Sequence, residues 1–160
     1  LGVTLFFIEY FYSRLLRKEK KVLKLKDHIL LIGWNQKIRY YINNLPGTLG
    51  VDHNYVCIAD LDESPYDLPK IVYLIRGNPN EERNLKKASI KTASQAIIAL
   101  EDDSDSILAA MSSQNLNPNI KLTVNIKYSE NRKHLDRIGV EQTLCDEELV
   151  GNTMMKSLNS

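Results

Sequence analysis

Short continuous apolar runs recur along the chain, each closed by a polar turn and followed by a stretch with helical spacing. His28-Ile29-Leu30-Leu31-Ile32, ending at Gly33, has the unbroken apolarity of a central parallel strand covered on both faces. A helix is expected from about Gln36 to Asn44, stopped by Pro46-Gly47. Beyond the polar loop from Gly47 to Asn54, Tyr55 to Ala59 and Ile71 to Ile75 supply the next two strands. Only about ten residues separate them, so the connection can hold a degenerate turn in place of a full crossover helix. Gly77-Asn78-Pro79-Asn80-Glu81 reads as a helix start, with Asn78 as cap, Pro79 in the first helical position and Glu81 in the third. Gln95 to Leu100 makes a fourth strand. A helix beginning at Asp103 or Ser104 carries Ile107, Leu108 and Met111 and stops near Asn115, ahead of Asn117-Pro118-Asn119. Lys121 to Ile126 is the fifth strand, and Ser129 caps a helix that carries Leu135 and Ile138 and ends at Gly139. A short strand, Gln142-Thr143-Leu144, then leads into a last helix with apolar positions at Leu149, Val150, Met154, Met155 and Leu158. Strand and helix alternate throughout, which predicts an α/β domain: a Rossmann-like, doubly wound parallel sheet.

The first residues follow another rule. Leu1 to Phe11, LGVTLFFIEYF, is largely apolar, yet YSRLLRKEKK comes next, so this stretch falls short of the roughly 20 apolar residues of a full span. A signal peptide would carry its positive charges before the apolar run, and here they come after it. Lys and Arg just past an apolar run match the cytoplasmic end of a transmembrane helix, with Tyr10 and Tyr12 at the interface. A soluble amphipathic helix is the alternative. The organisation expected is the end of a transmembrane helix over residues 1–17, a charged linker over 18–27, the Rossmann-like lobe over 28–144 and a terminal helix over 145–160.

Charge sharpens this division. Residues 1–26 hold seven of the 21 basic side chains against Glu9 and Glu19, a net +5, which leaves 14 basic and 18 acidic groups, a net −4, in the rest. The basic end, residues 14–26, suits anionic membrane lipid, whereas the acidic body lacks the footprint of a nucleic-acid binder. At 160 residues, with 43% apolar and 26% charged side chains, the chain is a folding sequence without room for a separate catalytic domain of similar size. Cys57 and Cys145 form neither a disulfide framework nor a closely spaced metal pair, and read as reduced packing residues.

Candidate chemistry gathers at the expected carboxyl edge of the sheet, where open parallel sheets bind ligands. Gly33 permits a tight turn after the first strand, and the N–H groups beyond it can hold an anion. A dinucleotide fingerprint, however, wants glycine where Asn35 and Ile38 stand. Trp34 either covers a nucleotide or packs back on its own helix. Asp60, past the second strand, can accept hydrogen bonds from a ribose or serve as a solvated turn. Glu101-Asp102-Asp103-Ser104-Asp105 reads first as helix capping and second as a cation site; no metal is required. His28 is expected at a strand edge, His53 in a loop and His134 on an exposed helix face, with no zinc spacing among them. No nucleophile elbow and no acid–base pair stands out, so no catalytic residue is assigned. The final helix can seal the monomer core or bury itself against another subunit.

Taken in order, ILLIGWN, the Asp60 region, RGNPNEERNLKKASI, AIIALEDDSDSILAAM, KYSENRKHLDRIGVEQTL and GNTMMKSL make residues 28–160 resemble the N-terminal lobe of the RCK (regulator of potassium conductance) family, also called TrkA-N. That resemblance implies a ligand-sensing regulatory domain that gates a potassium channel at the cell membrane, with residues from about 18 onward cytoplasmic. It implies ligand contacts at Gly33, Trp34, Asn35 and Gln36, at Asp60 and Leu61, at Gly77 and Asn78, and at Leu100 and Glu101. NAD, ADP or ATP are the implied regulatory ligands. The calcium-gated branch carries acidic ligands where Ala99, Asn125 and Lys127 stand here, which argues against that calcium site, although Glu101 to Asp105 keeps a separate cation site open. The implied partners are a potassium pore domain and further RCK lobes, in a homo-oligomer with Leu149, Met154 and Met155 at the interface. A peripheral RCK-type accessory subunit of a potassium transporter is the runner-up. An NAD-dependent oxidoreductase ranks behind both.

Overall fold

The computed structural model describes residues 2–45 and 53–158. Among the described residues there are six strands, β1 (Ile29–Ile32), β2 (Tyr55–Ala59), β3 (Val72–Arg76), β4 (Gln95–Ile98), β5 (Lys121–Ile126) and β6 (Gln142–Cys145). All five pairings are parallel, in the order β3-β2-β1-β4-β5-β6, so the chain reverses its winding direction at β1. This is the doubly wound sheet expected from the alternating pattern. β1 and β2 are buried at every position because helices or loops cover both faces.

The helices divide unequally between those faces. Leu30, Ile32, Val56 and Ile58 point into a core shared with α3 (Glu82–Lys87), α4 (Asp103–Leu116) and α5 (Arg132–Ile138) through Leu85, Ala109, Ala110 and Leu135. Leu31, Cys57 and Ala59, one residue out of phase, meet Ile38 and Ile42 of α2 (Gln36–Asn43) on the other face. The β2–β3 connection contains turns and no helix. The stop expected at Pro46-Gly47, and most of the loop to Asn54, lie outside the described residues.

Two helix starts differ from expectation. α3 begins at Glu82, because Asn78 Oδ1 accepts from the Asn80 amide at 2.9 Å and holds Asn78-Pro79-Asn80 as a turn, after Gly77 at φ +152°. Ser129 heads a short 3₁₀ turn, Ser129–Asn131, and its hydroxyl donates to Glu147, so it does not cap α5. Gly139 ends α5 in the left-handed conformation, as expected. His28 is fully buried, with Nε2 2.8 Å from the Ala88 carbonyl, a correction to its expected strand-edge position. His134, expected on an exposed face, is half-buried; His53 does lie in an exposed loop.

α1 (Gly2–Val22) runs without a break through Arg17 and Lys18, where the charge pattern divides helix from linker. Among the described residues, no helix is long and apolar enough to cross a membrane. Phe6, Phe7, Phe11 and Tyr12 of α1 are exposed. Val22 is the point at which α1 enters the core. The terminal helix α6 (Asp146–Ser157) buries none of its residues, so Leu149, Val150, Met154 and Met155 do not seal this core.

Candidate functional site

The turn after β1 is built around a close approach of backbones. Gly33 has φ +106°, and a Cβ there would lie 2.2 Å from the Ala99 carbonyl oxygen at the end of β4. Its N–H donates to the Ile58 carbonyl of β2 at 2.8 Å. Gly33 therefore joins both neighbouring strands at the point where the sheet reverses direction.

Asn35 explains how the turn manages without a second glycine. Its amide Nδ2 donates to the Ala99 carbonyl at 2.8 Å, while Oδ1 accepts from the amides of Lys37 and Ile38 at 3.1 and 3.2 Å. It caps α2 and also ties that cap to β4. Of the N–H groups beyond Gly33 expected to be able to hold an anion, those of Lys37 and Ile38 are thus already occupied. A phosphate would have to meet the turn further forward, between Gly33 and Gln36.

A cavity of about 290 Å³ opens at this turn. Of the expected ligand positions, Gly33, Trp34, Asn35, Asp60, Leu61, Asn78, Leu100 and Glu101 line it. Gln36 and Gly77 do not: Gln36 is exposed on α2, and the Gly77 backbone is packed against the Asn84 side chain. Ala59, Pro79, Asn80, Ala99 and Asp105 also line it without being among the expected nucleotide contacts, Asp105 being read from the sequence only as part of the acidic run. Reading Asn-Pro-Asn as a turn would have brought Asn80 to the sheet edge. Asp105, in the first turn of α4, is hidden in sequence by the acidic run around it.

Trp34 packs on the α2 side of the sheet, with the Arg39 guanidinium 5.8 Å from its ring centroid. Its indole Nε1 is buried and has no hydrogen-bond partner. Elsewhere in the lining, Asn80 Nδ2 donates to Asp105 Oδ1 at 2.8 Å, leaving Asn80 Oδ1 buried and unpartnered. Two residues that line the crevice thus each keep a buried polar atom without a partner, a donor on Trp34 and an acceptor on Asn80.

The acidic run does something other than cap its own helix. Asp102 occupies the cap position of α4 without a side-chain hydrogen bond. Asp103 reaches away from α4 and accepts from the amides of Lys127 and Tyr128 and from Asn131 Nδ2, at 2.8, 3.1 and 2.8 Å. Burial pushes its carboxyl up, but these three hydrogen bonds and the Lys127 charge together hold it below the usual carboxylate range. Lys127 Nζ lies 3.8 Å from Glu101. Lys37 Nζ donates to Asn125 and Asp146 at 2.6 and 2.5 Å. Two ammonium groups thus stand beside Glu101, Asn125 and Asp146.

Residues 29–146 match the protein family described as the TrkA-N domain. Among relatives, the chain is 29% identical to the "Putative potassium channel protein YugO" of Bacillus subtilis, over 86% of this chain and 43% of that protein. It is 27% identical to the "Probable potassium channel protein 2" of Methanocaldococcus jannaschii, over 92% of this chain and 43% of the relative. The chain spans under half the length of these relatives. Among solved structures, the TrkA-N domain of the inner membrane protein ybaL from Escherichia coli superposes with a TM-score of 0.75 at 20% identity, covering 84% of this chain and 98% of that one. The GsuK channel bound to NAD superposes at 0.62 and 20% identity, and GsuK bound to ADP at 0.66 and 19%, covering 76% and 77% of this chain and 22% and 32% of theirs. At these identities the structural likeness is one of fold.

Proposed function

The chain belongs to the TrkA-N domain family, and from that premise we propose that it is the nucleotide-sensing regulatory lobe of a membrane potassium channel. Its role is regulation and not catalysis. The crevice holds the ligand among the turn at residues 33–35, Asp60, Asn78, Leu100 and Glu101. NAD, ADP and ATP are the ligands to test. The potassium channel relatives and the NAD- and ADP-bound GsuK structures support this choice of pore and ligand.

One observation carries the sensing role: the loop that lines the crevice leads, through α3, into the segment that grips α1. Ser89 Oγ donates to the Val22 carbonyl at 2.9 Å and Thr92 Oγ1 to the Leu25 carbonyl at 2.8 Å. The Asp27 amide donates to the Thr92 carbonyl at 2.8 Å, and His28 meets Ala88 from the start of β1. Asp27 and Ser89 are the non-glycine residues with positive φ among the described residues, at 55° and 57°, and both lie at this junction. A ligand that moves residues 78–80 therefore pulls on a short, hydrogen-bonded path to α1. It gates only if it binds two conformations of the crevice unequally.

In this reading α1 continues from a pore helix, its aromatic stretch lies against lipid and residues 14–26 meet anionic headgroups. α6 joins lobes into a homo-oligomer through Leu149, Met154 and Met155. It is fastened at its acidic first turn, where Asp146 meets Lys37, Glu147 meets Ser129 and Glu148 meets Arg132 Nε at 2.9 Å, while its apolar side remains exposed. Calcium at the calcium-gated position is disfavoured, because Lys127 and Lys37 bring positive charge to Glu101 and Asn125.

Potassium flux through the full-length assembly, measured with and without NAD, ADP, ATP and calcium, tests the proposal. Open probability is expected to change with a nucleotide and not with calcium. If a nucleotide binds and flux is unaltered, the sensing role is wrong.

A further inference from the structure

The charge of the crevice goes beyond its shape. Three carboxylates, Asp60, Glu101 and Asp105, line it, and no Lys, Arg or His does so among the described residues. The basic groups nearby are engaged elsewhere. Lys37 is held by Asn125 and Asp146, Arg39 pairs with Asp67 at 3.3 Å, and Arg76 donates to the Asp62 carbonyl at 2.6 Å. Lys127 reaches Glu101 at 3.8 Å, a solvent-exposed contact that leaves Asp60 and Asp105 uncompensated.

The uncharged groups have the same bias. Asn80 turns its amide donor to Asp105, so that donor is already committed and does not offset a phosphate. At the first turn Asn35 has already taken two of the amides that would face a phosphate. The lining is therefore rich in acceptors, poor in cations and limited in anion-binding amides. It can hold hydroxyl and amino groups, whereas each additional phosphate meets fixed negative charge with little to offset it.

Resting on the reading of this crevice as a nucleotide site, we infer that it selects its ligand by charge, preferring a monophosphate or the oxidised dinucleotide NAD to a nucleoside diphosphate or triphosphate, with Asp105 as a residue that sets the preference. Charge works here as exclusion. The nucleoside portion can be common to every candidate, and the carboxylates discriminate by the number of phosphates they must tolerate.

Isothermal calorimetry on the full-length assembly, with AMP, NAD, ADP and ATP in the presence of a chelator, reads the selection directly. Affinity is expected to fall about tenfold from AMP to ADP and again to ATP, with NAD tighter than ADP. Raising the salt concentration should compress the series, because the penalty is electrostatic. Asp105→Asn, which can still accept from Asn80, should strengthen ATP more than AMP and so reduce the ATP-to-AMP ratio of dissociation constants at least threefold. A merely structural role for Asp105 would move both ligands together, and that result overturns its assignment. ATP binding as tightly as AMP overturns charge selection while leaving the nucleotide site standing. Binding of none of the four overturns the nucleotide reading and the selection with it.

Discussion

Three glycine-to-alanine substitutions test the architecture of the first turn against its own controls. Gly151→Ala lies within α6 with open space around it, so removing backbone freedom there should stabilise the chain by about 0.5–1 kcal/mol. Gly139→Ala also meets nothing within 4 Å but keeps φ at +79°, and should cost about 1–2 kcal/mol for the left-handed conformation alone. Gly33→Ala combines φ +106° with a contact of 2.2 Å to the Ala99 carbonyl, a backbone atom that cannot rotate aside as a side chain could. Moving β4 away should add overpacking strain of about 1–3 kcal/mol, for a total of about 2–5 kcal/mol. A domain stability of about 5–15 kcal/mol makes this a large loss that need not prevent folding. Urea unfolding followed by far-ultraviolet circular dichroism, at one fixed protein concentration, gives the three values. The decisive quantity is the difference between Gly33→Ala and Gly139→Ala, expected to be at least about 1 kcal/mol. If Gly33→Ala costs no more than Gly139→Ala, the β1 turn does not approach β4 as described, and the floor of the crevice is wrong.

Two further outcomes follow from buried titratable groups. Burial lowers the affinity of His28 for a proton more than its contact with Ala88 and the charge of Asp27 raise it, so its folded-state pKa lies below the ordinary value. Its contribution to stability is complete above about pH 6.5 and is lost as pH falls from there through the folded-state value; unfolding free energies should show this slope, and His28→Gln should flatten it. Equal slopes in the two proteins would place the acid sensitivity elsewhere. Burial pushes the Cys57 thiol up to about 12, so in a Cys145→Ser background a thiol-specific disulfide reagent at pH 8 should react only as fast as the chain unfolds; complete reaction within minutes under native conditions contradicts the buried strand β2.

Much of the fold is legible in the sequence because its strands are buried on both faces. ILLI and YVCIA are continuous apolar runs for that reason, and the bounds of β5 and the end of α5 at Gly139 follow equally local signals. The helix start near Asn78 is ambiguous in sequence because Asn-Pro-Asn serves a cap and a turn equally well, and the choice depends on whether Asn84 packs under Gly77. The buried state of His28 depends on Ala88, 60 residues away, and cannot be read locally. The acidic run shows the same limitation: nothing near Asp103 in sequence reveals that its partners are Lys127, Tyr128 and Asn131.

The first turn connects these observations. A glycine at position 35 would leave the start of α2 open to phosphate, but it would provide neither the bond to Ala99 nor the cap on Lys37 and Ile38. Asn35 supplies both and in doing so restricts the anion-binding surface. The incomplete glycine pattern is therefore compatible with an intact switch-point crevice, since the missing glycine is replaced by a side chain that fixes the same two elements. As the proposed ligand site, a crevice built this way would gain less from phosphate and more from lining groups such as Asp60, Asn80 and Asp105. Because Asn80 lies on the loop leading into α3, and α3 leads into the grip of Ser89 and Thr92 on the end of α1 and the residues after it, the wall that would discriminate between ligands is also the part best placed to report their arrival.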